Sequence, residues 1–173
     1  MKKLLIIFYF IFVSTFLSAH PHVFFEGSFN LKLNTKEVVV DLELILDEMN
    51  TLLVKENNGS EELYKNIFND LKISYNGKIL EKSVIKKEID SSSDNIILNI
   101  TFNFPIELKK NDKLLITIYD REYFYDYDYD ENSFKIENNS NLNFVTDFKE
   151  NKKKAYYYDM VYPKEFEVIV NEK

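Results

Sequence analysis

The chain has 173 residues, 22 lysines and arginines against 29 acids, no cysteine and no tryptophan. A net charge of −7 argues against a nucleic-acid partner, because an acidic surface repels a phosphate backbone and attracts cations in general. Without cysteine, disulfides and thiolate metal sites are excluded.

Met1-Lys2-Lys3 is a short basic start, Leu4 to Phe16 is almost entirely apolar, and Leu17-Ser18-Ala19 closes with small residues. This is the order of a secretory signal peptide. The apolar run falls short of the about 20 residues that span a bilayer. Cleavage after Ala19 is therefore expected, giving a signal peptide at 1–19 and a mature chain at 20–173, enough for one domain with a real core. No stable membrane insertion is expected after cleavage, and the mature protein should be periplasmic or otherwise extracytoplasmic.

From Val23 the apolar residues alternate (Val23, Phe25, Phe29, Leu31, Leu33), with Gly27 in the same register. Val38, Val40, Leu42, Leu44 and Leu46 repeat the pattern after a turn at Asn34-Thr35. A period of two predicts paired strands with one buried face. The period changes at Asp47. Met49, Leu52 and Leu53 are spaced as on a helix that Asp47 can cap, and Leu63, Ile67, Phe68 and Leu71 form the stripe of a second. Strands resume at Lys72, with Asn76-Gly77 as a hairpin turn and Ile79 to Ile89 as the returning strand. Further strands are predicted at Ile96–Phe104, Leu114–Ile118, Ser133–Glu137, Leu142–Phe148 and Glu165–Val170. The fold class is mainly β, a β-sandwich-like antiparallel domain with a helical insertion at about 47–71.

Both histidines of the chain stand at the expected cleavage point, in His20-Pro21-His22. After cleavage His20 offers an α-amine and an imidazole on one residue. In an extended segment residues two apart share a face, so His20 and His22 can converge on one ion. Imidazole nitrogen suits zinc, copper, nickel and cobalt. Pro21 lacks the amide N–H that square-planar copper or nickel binding at a free N-terminus deprotonates, so a tetrahedral or more open site completed by other side chains is favoured. Asp47-Glu48 lies where a strand meets a helix; a carboxylate there can complete a metal shell, and an ordinary helix cap uses the same residue. Asp120 to Glu131 carries Tyr123, Tyr125, Tyr127 and Tyr129 on one parity and Asp126, Asp128 and Asp130 on the other. As a strand it is aromatic on one face and acidic on the other. With Glu137 those acids match four positions of a calcium loop, but Glu131 stands where the turn glycine belongs.

His-Pro-His-Val-Phe at the mature start, Asp47-Glu48 after the second strand, a helical insertion and Tyr119-Asp120-x-x-Tyr123-Phe124 together resemble the DUF1007 family. Leu44-Ile45-Leu46 replace the aromatic residues usual before its Asp-Glu pair, and Arg121 replaces a proline. The resemblance implies an exported bacterial component of an uncharacterised transport system, partnered with a membrane metal permease of the nickel/cobalt type, with zinc also proposed. The expected function is a non-enzymatic binder that buffers or delivers a divalent transition metal: zinc, nickel or cobalt, with copper also compatible. The expected ligands are His20 through its amine and imidazole, His22, and a carboxylate from Asp120 or Asp47. Two other readings stand beside it. One is a metal-free interaction domain using its many tyrosines. The other is a copper-dependent oxidative enzyme, which would bring its second histidine from far along the chain and a tryptophan platform for sugar.

Overall fold

The computed structural model describes residues 23–56, 60–90 and 94–171. Alternation builds the first sheet. β1 (Val23–Leu33) and β2 (Val38–Leu46) pair antiparallel, with Phe25 opposite Leu46 and Leu33 opposite Val38. Phe25, Phe29, Leu31 and Leu33 are buried, as are all five inward residues of β2 from Val38 to Leu46. Because side chains alternate across a strand, this register buries one face and leaves Glu26, Asp41 and Glu43 on the other. Gly27 belongs to the inward set. A Cβ there would sit 3.3 Å from Leu44 Cδ2, so glycine permits the close approach.

β6 (Ile97–Phe104) extends the sheet beyond β2, and β5 (Ser83–Asp90) forms its edge, with a register shift between Val84 and Lys86. On the other side of β1 two strands run parallel to it in succession. β8 (Tyr125–Asp128) lies along its first half and β9 (Phe134–Asn138) along its second. Asp130 separates them by capping a single 3₁₀ turn at Glu131–Ser133. The sheet is therefore six-stranded and mixed, where purely antiparallel pairing was expected. Tyr129 OH bonds to the Ile118 and Lys164 carbonyls at 3.2 and 2.7 Å, and after the polar Asp130–Ser133 turn the chain rejoins β1 at Phe29, farther along in the same direction.

The second sheet is antiparallel, in the order β10 (Asn143–Glu150), β11 (Lys164–Asn171), β7 (Lys113–Ile118), β3 (Leu71–Tyr75), β4 (Lys78–Ile79). Its inward residues, among them Ile73, Ile116 and Val168, share one buried cluster with those of the first sheet, in a sandwich-like arrangement. Asn76 and Gly77 form the expected two-residue turn, with φ of 49° and 81°. The run from Ile79 to Ile89 is not one strand. β4 pairs for two residues only, and after the polar Glu81-Lys82 the chain joins the first sheet as β5.

Two helices fill the insertion, α1 (Glu48–Glu56) and α2 (Ser60–Asp70). α2 buries Leu63 and Ile67 as its stripe predicts. α1 turns part of its expected stripe outward: Met49 and Leu52 are 70 % and 56 % exposed, while Asn50 and Thr51 are buried and Val54 packs against the core. Thr51 Oγ1 donates to the Leu46 carbonyl at 3.3 Å and accepts from the Ile96 N–H at 3.0 Å, so this helix is fastened to the strand ends by hydrogen bonds. No helix among the described residues is long and apolar enough to cross a membrane.

Candidate functional site

β1 begins between the end of β2 and the start of β8. Its first described residue, Val23, donates its N–H to the Phe124 carbonyl at 2.8 Å. His20 and His22, and the cleavage point, lie outside the described residues.

On the β8 side of this entry stands Asp120. Its Oδ1 accepts the Glu122 N–H at 3.0 Å, and its Oδ2 accepts those of Phe124 and Tyr125 at 2.8 and 3.2 Å. A carboxylate suits a tight loop because each oxygen can receive more than one N–H. The loop needs that support, since Tyr123 is held at a φ of 57°, a left-handed conformation costly for an aromatic residue. On the β2 side, one residue past the Phe25–Leu46 pair, Asp47 caps α1. Its oxygens accept the Asn50 N–H at 2.9 Å and the Asn50 side-chain amide at 2.5 Å. The two aspartates thus flank the entry to β1 at one end of the sheet, each engaged in holding its own turn. Among the described residues, no three histidine, cysteine, aspartate or glutamate side chains form a group that could hold a metal ion.

The acids after Asp120 are spread over three elements, Asp126 and Asp128 on β8, Asp130 at the 3₁₀ turn and Glu137 on β9. Asp126 accepts the Tyr123 hydroxyl at 3.0 Å, and Asp128 pairs with Lys164 at 3.3 Å. Asp130 caps its 3₁₀ turn, and Glu137 accepts the Asn30 amide at 2.8 Å. Each acid has a separate partner. The opposite parity is aromatic and largely inward, as expected: Tyr127 and Tyr129 are buried, and Tyr127 stacks on Phe25 at 5.3 Å.

A further titratable group lies beneath this end. Tyr127 OH donates to Asp70 Oδ2 at 2.8 Å, joining β8 to the last residue of α2. Burial pushes the Asp70 carboxyl up to about 6 against the lowering effect of that hydrogen bond, and the nearby Asp120 charge adds to the rise. Lys82 donates to the Phe68 and Leu71 carbonyls, the latter at 2.7 Å, closing the C-terminus of α2. Burial brings its ammonium down to about 8. Tyr119, also here, has Lys72 4.0 Å above its ring. Burial favours its neutral form, but Lys72 and Arg121 outweigh that and set its hydroxyl below the usual value. Sequence reading missed Asp70. Its signal was an acid in the last turn of a predicted helix, where the helix dipole disfavours negative charge.

A broad depression of about 1140 Å³ crosses the outer face of the first sheet, lined by residues such as Asn30, Asp41 and Thr101. Its charges are largely paired with each other, Lys32 with Asp41 at 2.8 Å and Lys86 with Glu88 at 3.0 Å, and it contains none of the residues expected to bind metal. No family model matches the chain, and no curated protein matches it.

Proposed function

We propose that the chain is an exported protein that buffers or delivers a divalent transition metal outside the cytoplasmic membrane, handing it to a membrane permease of the nickel/cobalt type. The observation that carries the reading is the hydrogen bond from Val23 to Phe124. It fixes the chain three positions after the expected mature start, beside the loop that Asp120 shapes. Three residues of extended chain span at most about 11 Å, roughly two strand spacings, so the reach of a mature His20 from Val23 extends toward both flanks of the β1 entry.

The chemistry follows from the donors. The α-amine of a first residue loses its proton near pH 8, within reach of metal displacement at neutral pH. With no thiolate and two imidazoles in the whole chain, a site of intermediate softness draws on His20 and His22. Asp120 is preferred to Asp47 because its carboxylate accepts the N–H of Phe124, the residue whose carbonyl accepts the Val23 N–H at the entry to β1. Since binding must displace protons from nitrogen, affinity falls steeply below about pH 6. The DUF1007 resemblance supports the same role and supplies the permease as partner.

The test is calorimetric titration of zinc, nickel and cobalt into the mature protein. His20→Ala and His22→Ala should each weaken binding at least tenfold, and Asp120→Asn by less. Full affinity in the double histidine variant rejects the reading.

A further inference from the structure

The loop between β10 and β11, residues 151–163, reads Asn-Lys-Lys-Lys-Ala-Tyr-Tyr-Tyr-Asp-Met-Val-Tyr-Pro. In a chain of net charge −7 it gathers three consecutive lysines and four tyrosines. Lys152–Lys154 form a 3₁₀ turn capped by Asn151, and all three lysines are exposed. Lys154 pairs with the buried Glu165 at 2.9 Å, which roots the turn in β11 and leaves Lys152 and Lys153 toward solvent. A bridge from Tyr156 to Val161 then closes a tip in which Tyr157, Tyr158 and Asp159 all have positive φ, at 47°, 57° and 59°. Such a backbone is unfavourable for non-glycine residues and persists only where its surroundings enforce it. Here Tyr156 packs on Tyr119 at 5.0 Å, and Tyr157 on Tyr123 at 5.1 Å. The effect is to hold Tyr158 and Met160 outward, 85 % and 67 % exposed.

We propose that this loop docks the protein on an anionic bilayer surface, Lys152 and Lys153 binding lipid headgroups while Tyr158 and Met160 enter the interfacial layer. Charge complementarity selects the occupant. Clustered lysines are drawn to anionic headgroups, a tyrosine ring with its hydroxyl suits the boundary between headgroup and acyl chain, and a thioether suits the layer below. The two signals act together, as stable peripheral binding requires. A peptide partner fits less well, because Tyr158 and Met160 stand on the tip of a turn instead of lining a groove. A chain of net charge −7 is repelled as a whole by the same membrane, so docking calls for a locally basic patch such as this one. Docking would turn the Asp120 loop and the entry to β1 toward the bilayer, because Tyr119 and Tyr123 on either side of Asp120 are the loop's packing partners.

The test is co-sedimentation of the mature protein from exporting cells with vesicles of mixed phosphatidylglycerol and phosphatidylcholine, against phosphatidylcholine alone. Binding should require the anionic lipid and weaken with salt. Lys152→Glu/Lys153→Glu should lower it at least tenfold. Lys109→Glu/Lys110→Glu, the same charge change at the opposite end of the second sheet, should leave it within about twofold. Tyr158→Trp should show blue-shifted emission when anionic vesicles are added, reporting insertion of the tip. Absence of binding at low salt, equal loss in the two charge-reversal variants, or unshifted Tyr158→Trp emission overturns the proposal. So does binding to polyglutamate without binding to vesicles, which makes the loop a protein-docking surface. Metal titration of the same Lys152→Glu/Lys153→Glu variant separates this proposal from the metal reading, since its affinity for metal should be unchanged.

Discussion

Two aspartates mark the two ends of the second sheet, and their carboxyls are shifted in opposite directions. Asp112 sits where β7 begins and Asp70 where β3 begins; since the strands are antiparallel, they are separated by the length of β3, about 17 Å. Burial pushes both carboxyls up. At Asp112 the Tyr75 hydroxyl, the Asn76 amide and the Lys109 N–H outweigh it, at 2.5, 2.8 and 2.6 Å, and hold the group below the ordinary value. At Asp70 the Tyr127 hydroxyl does not, and the carboxyl rises to about 6. One end is closed by a turn whose carboxylate is well supplied with donors. The other end keeps a less well compensated charge, left-handed tyrosines and the entry of the N-terminal segment. The contrast sets a well-compensated carboxylate at one end of the sheet against a poorly compensated one at the other.

Substitutions can sharpen or break that contrast. The largest expected effect lies in the core beneath the candidate end. Phe25→Ala removes a fully buried ring stacked on Tyr127 and should cost about 4 kcal/mol in urea unfolding. Next is Asp112→Ala, which strands the donors of Tyr75, Asn76 and Lys109 and should cost about 3 kcal/mol at neutral pH. Because the Asp112 carboxyl is lowered on folding, its contribution is present above the ordinary value and is lost as pH falls through that value and below.

Asp70→Asn should act in the opposite sense. A carboxyl raised from 3.8 to about 6 makes the folded protein bind a proton more tightly than the unfolded chain, so this group's contribution falls as pH rises from about 4 through about 6. The amide still accepts the Tyr127 hydroxyl without a buried charge. Asp70→Asn should therefore gain about 1 kcal/mol at pH 8 and little at pH 4, flattening that part of the stability profile. A variant as pH-dependent as the parent between pH 4 and 7 assigns the titration to another group. Tyr158→Ser should be the mildest, within about 0.5 kcal/mol by thermal unfolding, since the ring is exposed. A loss above about 2 kcal/mol would show that the tip belongs to the core.

The strands of the first sheet were legible because a buried face on a pleated chain imposes a period of two, and β2 obeys it without exception from Val38 to Leu46. The Asn76-Gly77 turn was legible because few residues accept two consecutive positive φ angles. The docking face of α1 was not, because hydrogen bonds of Thr51, invisible to hydrophobic spacing, fix the helix and leave Met49 and Leu52 outside. Nor was the parallel pairing of β8 and β9 with β1, which depends on contacts about a hundred residues apart. Of the candidate site, spacing identified Asp47 as a helix cap but put Asp120 at the start of a stretch read as a strand. It could not reveal that both carboxylates are engaged by their own loops, or that Asp70 lies beneath them.

The central claim is that the amine of His20 is a metal ligand. It is tested most directly by comparing zinc affinity of the mature protein with that of the same protein carrying one alanine ahead of His20. Both forms keep every imidazole and carboxylate; only the position of the free amine changes. The extended form should bind at least tenfold more weakly, a loss of about 1.4 kcal/mol or more. Equal affinity in the two forms would contradict the claim and move the metal to other groups of the chain.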